Sequence, residues 1–217
     1  GTHVWIRDPE TIWSSATLLE DLDIPAFHTS GTTELKLLVH DSNKVCVLRV
    51  KAEQDLPYLK NPDILIGRDD LTTLSYLHEP AVLFNLQNRF LEQQSIYTYC
   101  GIVLVAINPY MECSLYGEEM IQVYKGVGKQ VRELDPHIYA VAEEAYYDMK
   151  EFRKNQSIIV SGESGAGKTV SAKFAMRYFA HCSAARTLSS GSATGIKNTT
   201  GTLNIEDRVL ATNPIME

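Results

Sequence analysis

Residues Gly162-Glu163-Ser164-Gly165-Ala166-Gly167-Lys168-Thr169 fit G-x-x-x-x-G-K-[ST] at every fixed position. At ordinary residue frequencies a chance match in 217 residues arises about one time in a hundred. Context narrows the reading further. Ser157-Ile158-Ile159-Val160 reads as a short buried strand entering the loop, and Val170, Phe174, Tyr178 and Cys182 recur at helical spacing after it. Strand, glycine loop and helix N-terminus in that order make a cradle for polyphosphate. The glycines open backbone conformations closed to other residues, so the N–H groups from Gly165 to Thr169 can point inward at phosphate oxygens. The helix start adds positive potential. Lys168 supplies a mobile ammonium for the β and γ phosphates, and the Thr169 hydroxyl is a hard oxygen ligand for Mg²⁺. The implied ligand is a magnesium-bound nucleoside triphosphate.

Ahead of this motif the chain changes period. The first fifty residues read as β structure, with strands over Glu34 to His40 and Lys44 to Val50 around the turn Asp41-Ser42-Asn43. Leu35, Leu37 and Val39 alternate on one strand and Val45 and Val47 on the other, a hairpin of a small barrel. The Pro-bearing stretch Leu56 to Asp63 marks the exit, which places a boundary near residue 55. Two short helices are expected next, from Leu71, Leu74 and Leu77 and from the stripe Val82, Leu83, Leu86 and Phe90. Ile96 to Ile107 reads as one strand covered on both faces, central in an α/β sheet, with Asn108-Pro109 ending it. Asp135-Pro136-His137 predicts a cap at Asp135 with Pro at the first helical position, then a helix with Ile138, Val141, Ala142, Ala145, Tyr146 and Met149 on one face. Ser183 to Asn204 is nearly all Ser, Thr, Gly and Ala and reads as a surface loop. Another helical pattern begins at Ile205, and the chain stops in mid-pattern at Glu217, as a fragment would.

Hydrolysis needs more than the loop: an Asp near the metal and a group that positions water. After Thr169 there is no D-x-x-G and no apolar strand ending in Asp, and Asp207 reads as a helix-start residue, so no catalytic residue is assigned. His78 and His137 read as helix-start polar residues, and Trp5 and Trp13 as core anchors. Glu143-Glu144 reads as a solvated helix face and Tyr97 to Tyr99 as β-propensity.

Composition excludes other classes. With 20 Lys+Arg against 27 Asp+Glu the formal charge is −7, which argues against nucleic-acid binding by a basic surface. No apolar run reaches membrane-spanning length, and Gly1 to Trp5 has neither the basic nor the apolar region of a signal peptide, so a cytoplasmic protein is expected. Cys46, Cys100, Cys113 and Cys182 are far apart, without a C-x-x-C pair, and read as reduced thiols.

Ser161 to Thr169 with Asn155-Gln156-Ser157 resembles the phosphate loop of myosin heads, and Asn108-Pro109 followed by Tyr116 resembles their purine-binding loop. Asn61-Pro62-Asp63-Ile64-Leu65, Leu74 to Pro80, Asp135 to Ile138 and Asn213 to Glu217 agree, and Val170 to Lys173 with Arg177-Tyr178-Phe179 resembles class V. Met111-Glu112-Cys113 departs from the basic residues many relatives carry there. The resemblance implies an α/β fold: a Src-homology-3-like β-barrel over residues 1–55, then, over 56–217, part of a P-loop NTPase motor core with a mixed β-sheet and flanking helices. It implies that Asn108, Pro109 and Tyr116 lie against adenine and ribose, that Gly162, Glu163, Ser164, Gly165, Ala166, Gly167 and Lys168 wrap the phosphates of ATP, and that Thr169 holds Mg²⁺. It further implies an actin-based, cytoskeleton-associated motor in vesicle or organelle transport. Actin and calmodulin-type light chains would bind through regions missing here, so the stretch alone would lack ATPase activity. The residues themselves leave open a P-loop small-molecule kinase or a non-catalytic nucleotide-binding module.

Overall fold

Asp8 turns the chain at the first hairpin, its Oδ1 accepting from Thr11 N at 2.9 Å and Glu10 N at 2.8 Å. These two N–H groups, Thr11's first, hold the Asp8 carboxyl below its usual range. The turn joins β1 (His3–Asp8) to β2 (Ile12–Leu18) in a computed structural model that describes residues 1–20 and 32–189. The chain divides into two compact units, Gly1–Ser95 and Ile96–Glu217.

In the first unit β3 (Thr33–Val39) and β4 (Lys44–Val50) form the expected second hairpin, with Asn43 in the left-handed region at φ +52°. A two-residue strand, β5 (Tyr58–Leu59), pairs with β1, so the sheet runs β4-β3-β2-β1-β5 and takes a strand from beyond residue 55. Among the described residues nothing pairs β4 with β5; the pairings make an open antiparallel sheet. Its core is Val4, Ala16, Leu35, Leu37 and Val50, backed by Cys46 and Leu48. The inward face of β4 is therefore not that of Val45 and Val47, which are exposed. Register decides this: Leu37 lies opposite Cys46 and Leu35 opposite Leu48, and directly opposed residues share a face. Trp5 is buried against Phe84, but Trp13 is only half-buried, with the Arg7 guanidinium 4.1 Å above its ring.

Of the two helices expected next, the first is a single 3-10 turn, Leu71–Thr73, capped by Asp70. The second is α1 (Glu79–Leu91), which His78 caps through Nδ1. Its buried side is not the apolar stripe but Ala81, Asn85 and Arg89. The Gly67–Arg68 backbone explains this, because it lies outside regular structure and needs partners. Asn85 accepts from Arg68 N at 2.9 Å and donates to Arg68 O at 2.8 Å, and Arg89 donates to Gly67 O.

The second unit opens with a hairpin where one central strand was expected. β6 (Tyr97–Cys100) and β7 (Val103–Ala106) pair antiparallel about Gly101, whose φ of +58° lets the chain reverse. α2 (Glu118–Tyr124) and a 3-10 stretch, Gly128–Glu133, lead to α3 (Ile138–Phe152). The cap of α3 is His137, not Asp135, and Pro136 precedes the cap rather than opening the helix. His137 Nδ1 accepts from Tyr139 N at 3.0 Å, which does the work expected of the Asp carboxyl. Arg153 ends the helix in the left-handed conformation. Residues 157–160 form no strand. A strand exists through its ladder, no described segment pairs with this run, and Ile159 is left 89% exposed. α4 (Lys168–Ser189) continues through the first part of the expected surface loop. Residues 190–204 of that loop, and the helical pattern from Ile205, lie outside the described residues.

α3 and α4 are tied by a residue that pattern assigns to solvent. Glu143 is 2% exposed: Oε1 accepts from Gly126 N at 3.0 Å and Gly128 N at 3.1 Å, and Oε2 from the Tyr178 hydroxyl at 2.7 Å. Glu144, the other half of the pair, meets Arg132 at 2.5 Å. Glu143→Ala would leave the buried Gly128 N–H and Tyr178 hydroxyl unpaired, and Gly126 N–H without its carboxylate, and is expected to destabilise the second unit by about 2–4 kcal/mol. Tyr178→Phe, which keeps the backbone bonds, should cost about 1 kcal/mol, and urea midpoints of the two variants separate the cases.

Candidate nucleotide-binding site

The loop before α4 is built from backbone that only glycine adopts freely. Gly162, Gly165 and Gly167 have φ of +153°, +81° and +92°, and a Cβ on Gly162 would come within 3.2 Å of the Ala166 side chain. Ala166 N donates to Glu163 O at 3.2 Å, closing a turn, and the first helical bond runs from Ser171 N to Gly167 O at 2.9 Å. The N–H groups of the first helical turn have no intrahelical acceptor, and no acidic side chain stands in that turn, so its positive end is uncompensated. Lys168 Nζ lies across the loop, donating to Gly162 O and Glu163 O, each at 2.9 Å. Thr169 is exposed one residue inside the helix. No cluster of three or more His, Cys, Asp or Glu exists among the described residues. A hydroxyl presented alone suits Mg²⁺, which keeps several waters and takes its other oxygens from phosphate.

A second loop meets the first. Asn108 Nδ2 donates to Gly165 O at 2.8 Å, while its Oδ1 accepts from Tyr110 N at 3.0 Å, fixing the turn after Pro109. A 3-10 turn, Ser114–Tyr116, then presents Tyr116. Its ring stacks on Phe174 of α4, 3.5 Å between centroids and 8° from parallel, and its hydroxyl meets that of Tyr97 at 2.9 Å. Beneath the loop His137 Nε2–H donates to Leu115 O at 3.2 Å, and the Tyr139 hydroxyl donates to Tyr116 O at 3.0 Å. With Nδ1 accepting and Nε2 donating, His137 is the neutral tautomer, assigned from its partners. Burial pushes its pKa down to about 4, against the smaller upward pull of Leu115 O. Burial, then the bond to Tyr116, pushes Tyr97 up, and burial raises Tyr116 as well.

Between the loops lies a cavity of about 540 Å³ whose walls include Asn108, Pro109, Tyr116, Gly167 and Phe174. Of the residues expected at the site, Asn108, Pro109, Tyr116, Ala166 and Gly167 line it; Gly162, Glu163, Ser164, Gly165, Lys168 and Thr169 form the remainder of the adjoining loop. Tyr97, Phe174 and His137 belong to the same constellation, though the sequence patterns read Tyr97 as β-propensity, Phe174 as a packed helix face and His137 as a helix-start polar residue. The signal for Tyr97 was a hydroxyl on a buried strand, which needs a partner.

Residues 68–217 match the model of the Myosin head (motor domain) family. The chain belongs to the myosin head family. It is 53% identical over 215 residues to Unconventional myosin-Va of Gallus gallus, covering 99% of this chain and 11% of that protein. It is 53% identical over 216 residues to Unconventional myosin-Vb of Homo sapiens (100% and 10%), and 46% over 222 residues to Myosin-2A of Naumovozyma castellii (100% and 14%). The resemblance to class V agrees with the first two. The myosin head sequence here thus spans about a tenth of the length of these relatives. Among its described residues no helix is long and apolar enough to cross a membrane.

The buried imidazole gives this part of the head a pH signature. His137 titrates near its ordinary 6.5 when unfolded and near 4 when folded, so the unfolded chain binds the extra proton between those values. Stability is therefore full above about pH 6.5 and is expected to fall by roughly 3 kcal/mol as pH drops to about 4. His137→Asn, which retains a capping side chain, should flatten that part of the pH profile of urea midpoints.

Proposed function

We propose that this chain is the Mg-ATP-binding stretch of an actin-based motor. Asn108, Pro109 and Tyr116 receive adenine and ribose, Gly162 to Lys168 wrap the phosphates, and Thr169 contributes a ligand to Mg²⁺. The observation that carries this reading is the bond from Asn108 to Gly165 O, which joins a base-side loop to a phosphate-side loop around one cavity. Family membership and the names of the myosin V relatives support the motor assignment. They also weigh against the small-molecule kinase. The fold proposed is a P-loop NTPase motor core preceded by a Src-homology-3-like barrel, divided near residue 55. The activity proposed for the whole protein is ATP hydrolysis coupled to movement along actin in vesicle or organelle transport, in the cytoplasm and on the cytoskeleton. Calmodulin-type light chains would be its partners. After Thr169 the sequence has no D-x-x-G and no apolar strand ending in Asp, so nucleotide binding is the role proposed for this stretch.

Magnesium, where it binds, neutralises phosphate charge. The chain's own residues do the rest: Lys168 exchanges its two carbonyl bonds for phosphate oxygens, and the first-turn amides of α4 donate to the remaining phosphate oxygens. In a complete head, Lys168→Ala is expected to weaken ATP binding by on the order of 100-fold in calorimetric titration, because the phosphates lose their nearest cation. Unchanged affinity would defeat the assignment. Actin-stimulated phosphate release by the unaltered head separates a motor from a non-catalytic module.

A further inference from the structure

Tyr116 is held more tightly than a contact residue in a loop requires. Phe174 covers one face of its ring at 3.5 Å and 8°, Tyr97 holds its hydroxyl at 2.9 Å, and Tyr139 and His137 pin the carbonyls of Tyr116 and Leu115 at 3.0 and 3.2 Å. A 3-10 turn of three residues has little rigidity of its own. These four contacts therefore supply the order that the local backbone lacks. Two consequences follow. The face of the ring turned to Phe174 is closed to any ligand, so Tyr116 can meet a base only through its other face or its edge. Furthermore, Phe174 stands on α4 only five residues beyond Thr169, about 7.5 Å along the axis. One helix thus carries the phosphate-binding N-terminus at one end and, a turn and a half later, the ring that sets the base-side tyrosine.

We infer that Phe174 and Tyr97 are positioning residues for base recognition: through Tyr116 they fix where a nucleoside base sits relative to the phosphate loop. This rests on the reading of the cavity as a nucleoside triphosphate site. The structure carries it in the parallel stack across α4 and the 3-10 turn, together with the tyrosine–tyrosine hydroxyl bond. The other tie between the loops, Asn108 to Gly165 O, lies at the phosphate end and is untouched by either residue. Base-dependent and phosphate-dependent affinity are therefore separable by substitution.

The test compares Mg-ATP with Mg-tripolyphosphate, which has the phosphates and no base, in calorimetric titrations of a complete head bearing Phe174→Leu or Tyr97→Phe. Phe174→Leu keeps apolar volume but removes the stack and is expected to weaken ATP by roughly three- to tenfold, leaving tripolyphosphate within about twofold. Tyr97→Phe deletes one oxygen and should weaken ATP by about two- to fivefold with the same selectivity. It also serves as the deciding variant if Phe174→Leu does not fold. Equal weakening of both ligands, or no change in ATP affinity, overturns the inference. An unaltered head that binds neither ligand would instead overturn the underlying reading of the site.

Discussion

The Tyr178 hydroxyl donates to Glu143 Oε2 at 2.7 Å inside the second unit, and the placement of α4 depends on that buried bond. An acidic side chain is removed from water only where donors replace the lost hydration. Here two come from the backbone at Gly126 and Gly128 and one from α4, so Glu143 joins three segments that are remote in sequence. Burial raises the Tyr178 hydroxyl well above its ordinary range, and the neighbouring Glu143 raises it further, which keeps the proton on tyrosine and the bond in place. The glycine loop inherits its position from this arrangement, because Gly167 and Lys168 lead directly into the helix that Tyr178 anchors.

Around Tyr116, order comes from rings rather than from regular backbone. His137 stacks on Tyr124 at 5.2 Å and 18°, meets Tyr97, Tyr116 and Tyr139 at tilted or edge angles, and stays neutral among them. A charged imidazole there would lose hydration without a carboxylate to compensate, which is why burial outweighs its carbonyl partner. The imidazole does three things at once: it caps α3, holds Leu115 O and fills the space beneath Tyr116.

Much of this was legible in the chain itself. The glycine spacing of residues 162–167, the helices after His78 and His137, and the strands over 33–39 and 44–50 follow from local rules, since turn conformation and amphipathic period act over a few residues. The misreadings share a cause. Ile96 to Ile107 looked like one central strand because apolar periodicity does not say whether a glycine will be used to reverse direction. Ser157 to Val160 looked like a buried strand because composition does not say whether a ladder partner is present. Glu143 looked outward because polar residues on an amphipathic helix usually are, whereas it is inward to serve backbone groups 15 and 17 residues away, as Asn85 and Arg89 are for Gly67 and Arg68.

By itself the sequence determined the local chemistry of the glycine loop: positive-φ glycines, a lysine and a hydroxyl at a helix start follow from residues a few positions apart. Tertiary structure alone decided how the two loops are held to each other. The bond from Asn108 to Gly165 O, the stack of Phe174 on Tyr116 and the buried carboxyl of Glu143 each join positions from 35 to 58 residues apart. Such pairings depend on how distant elements pack, and burial sets their strength by removing the water that would otherwise compete.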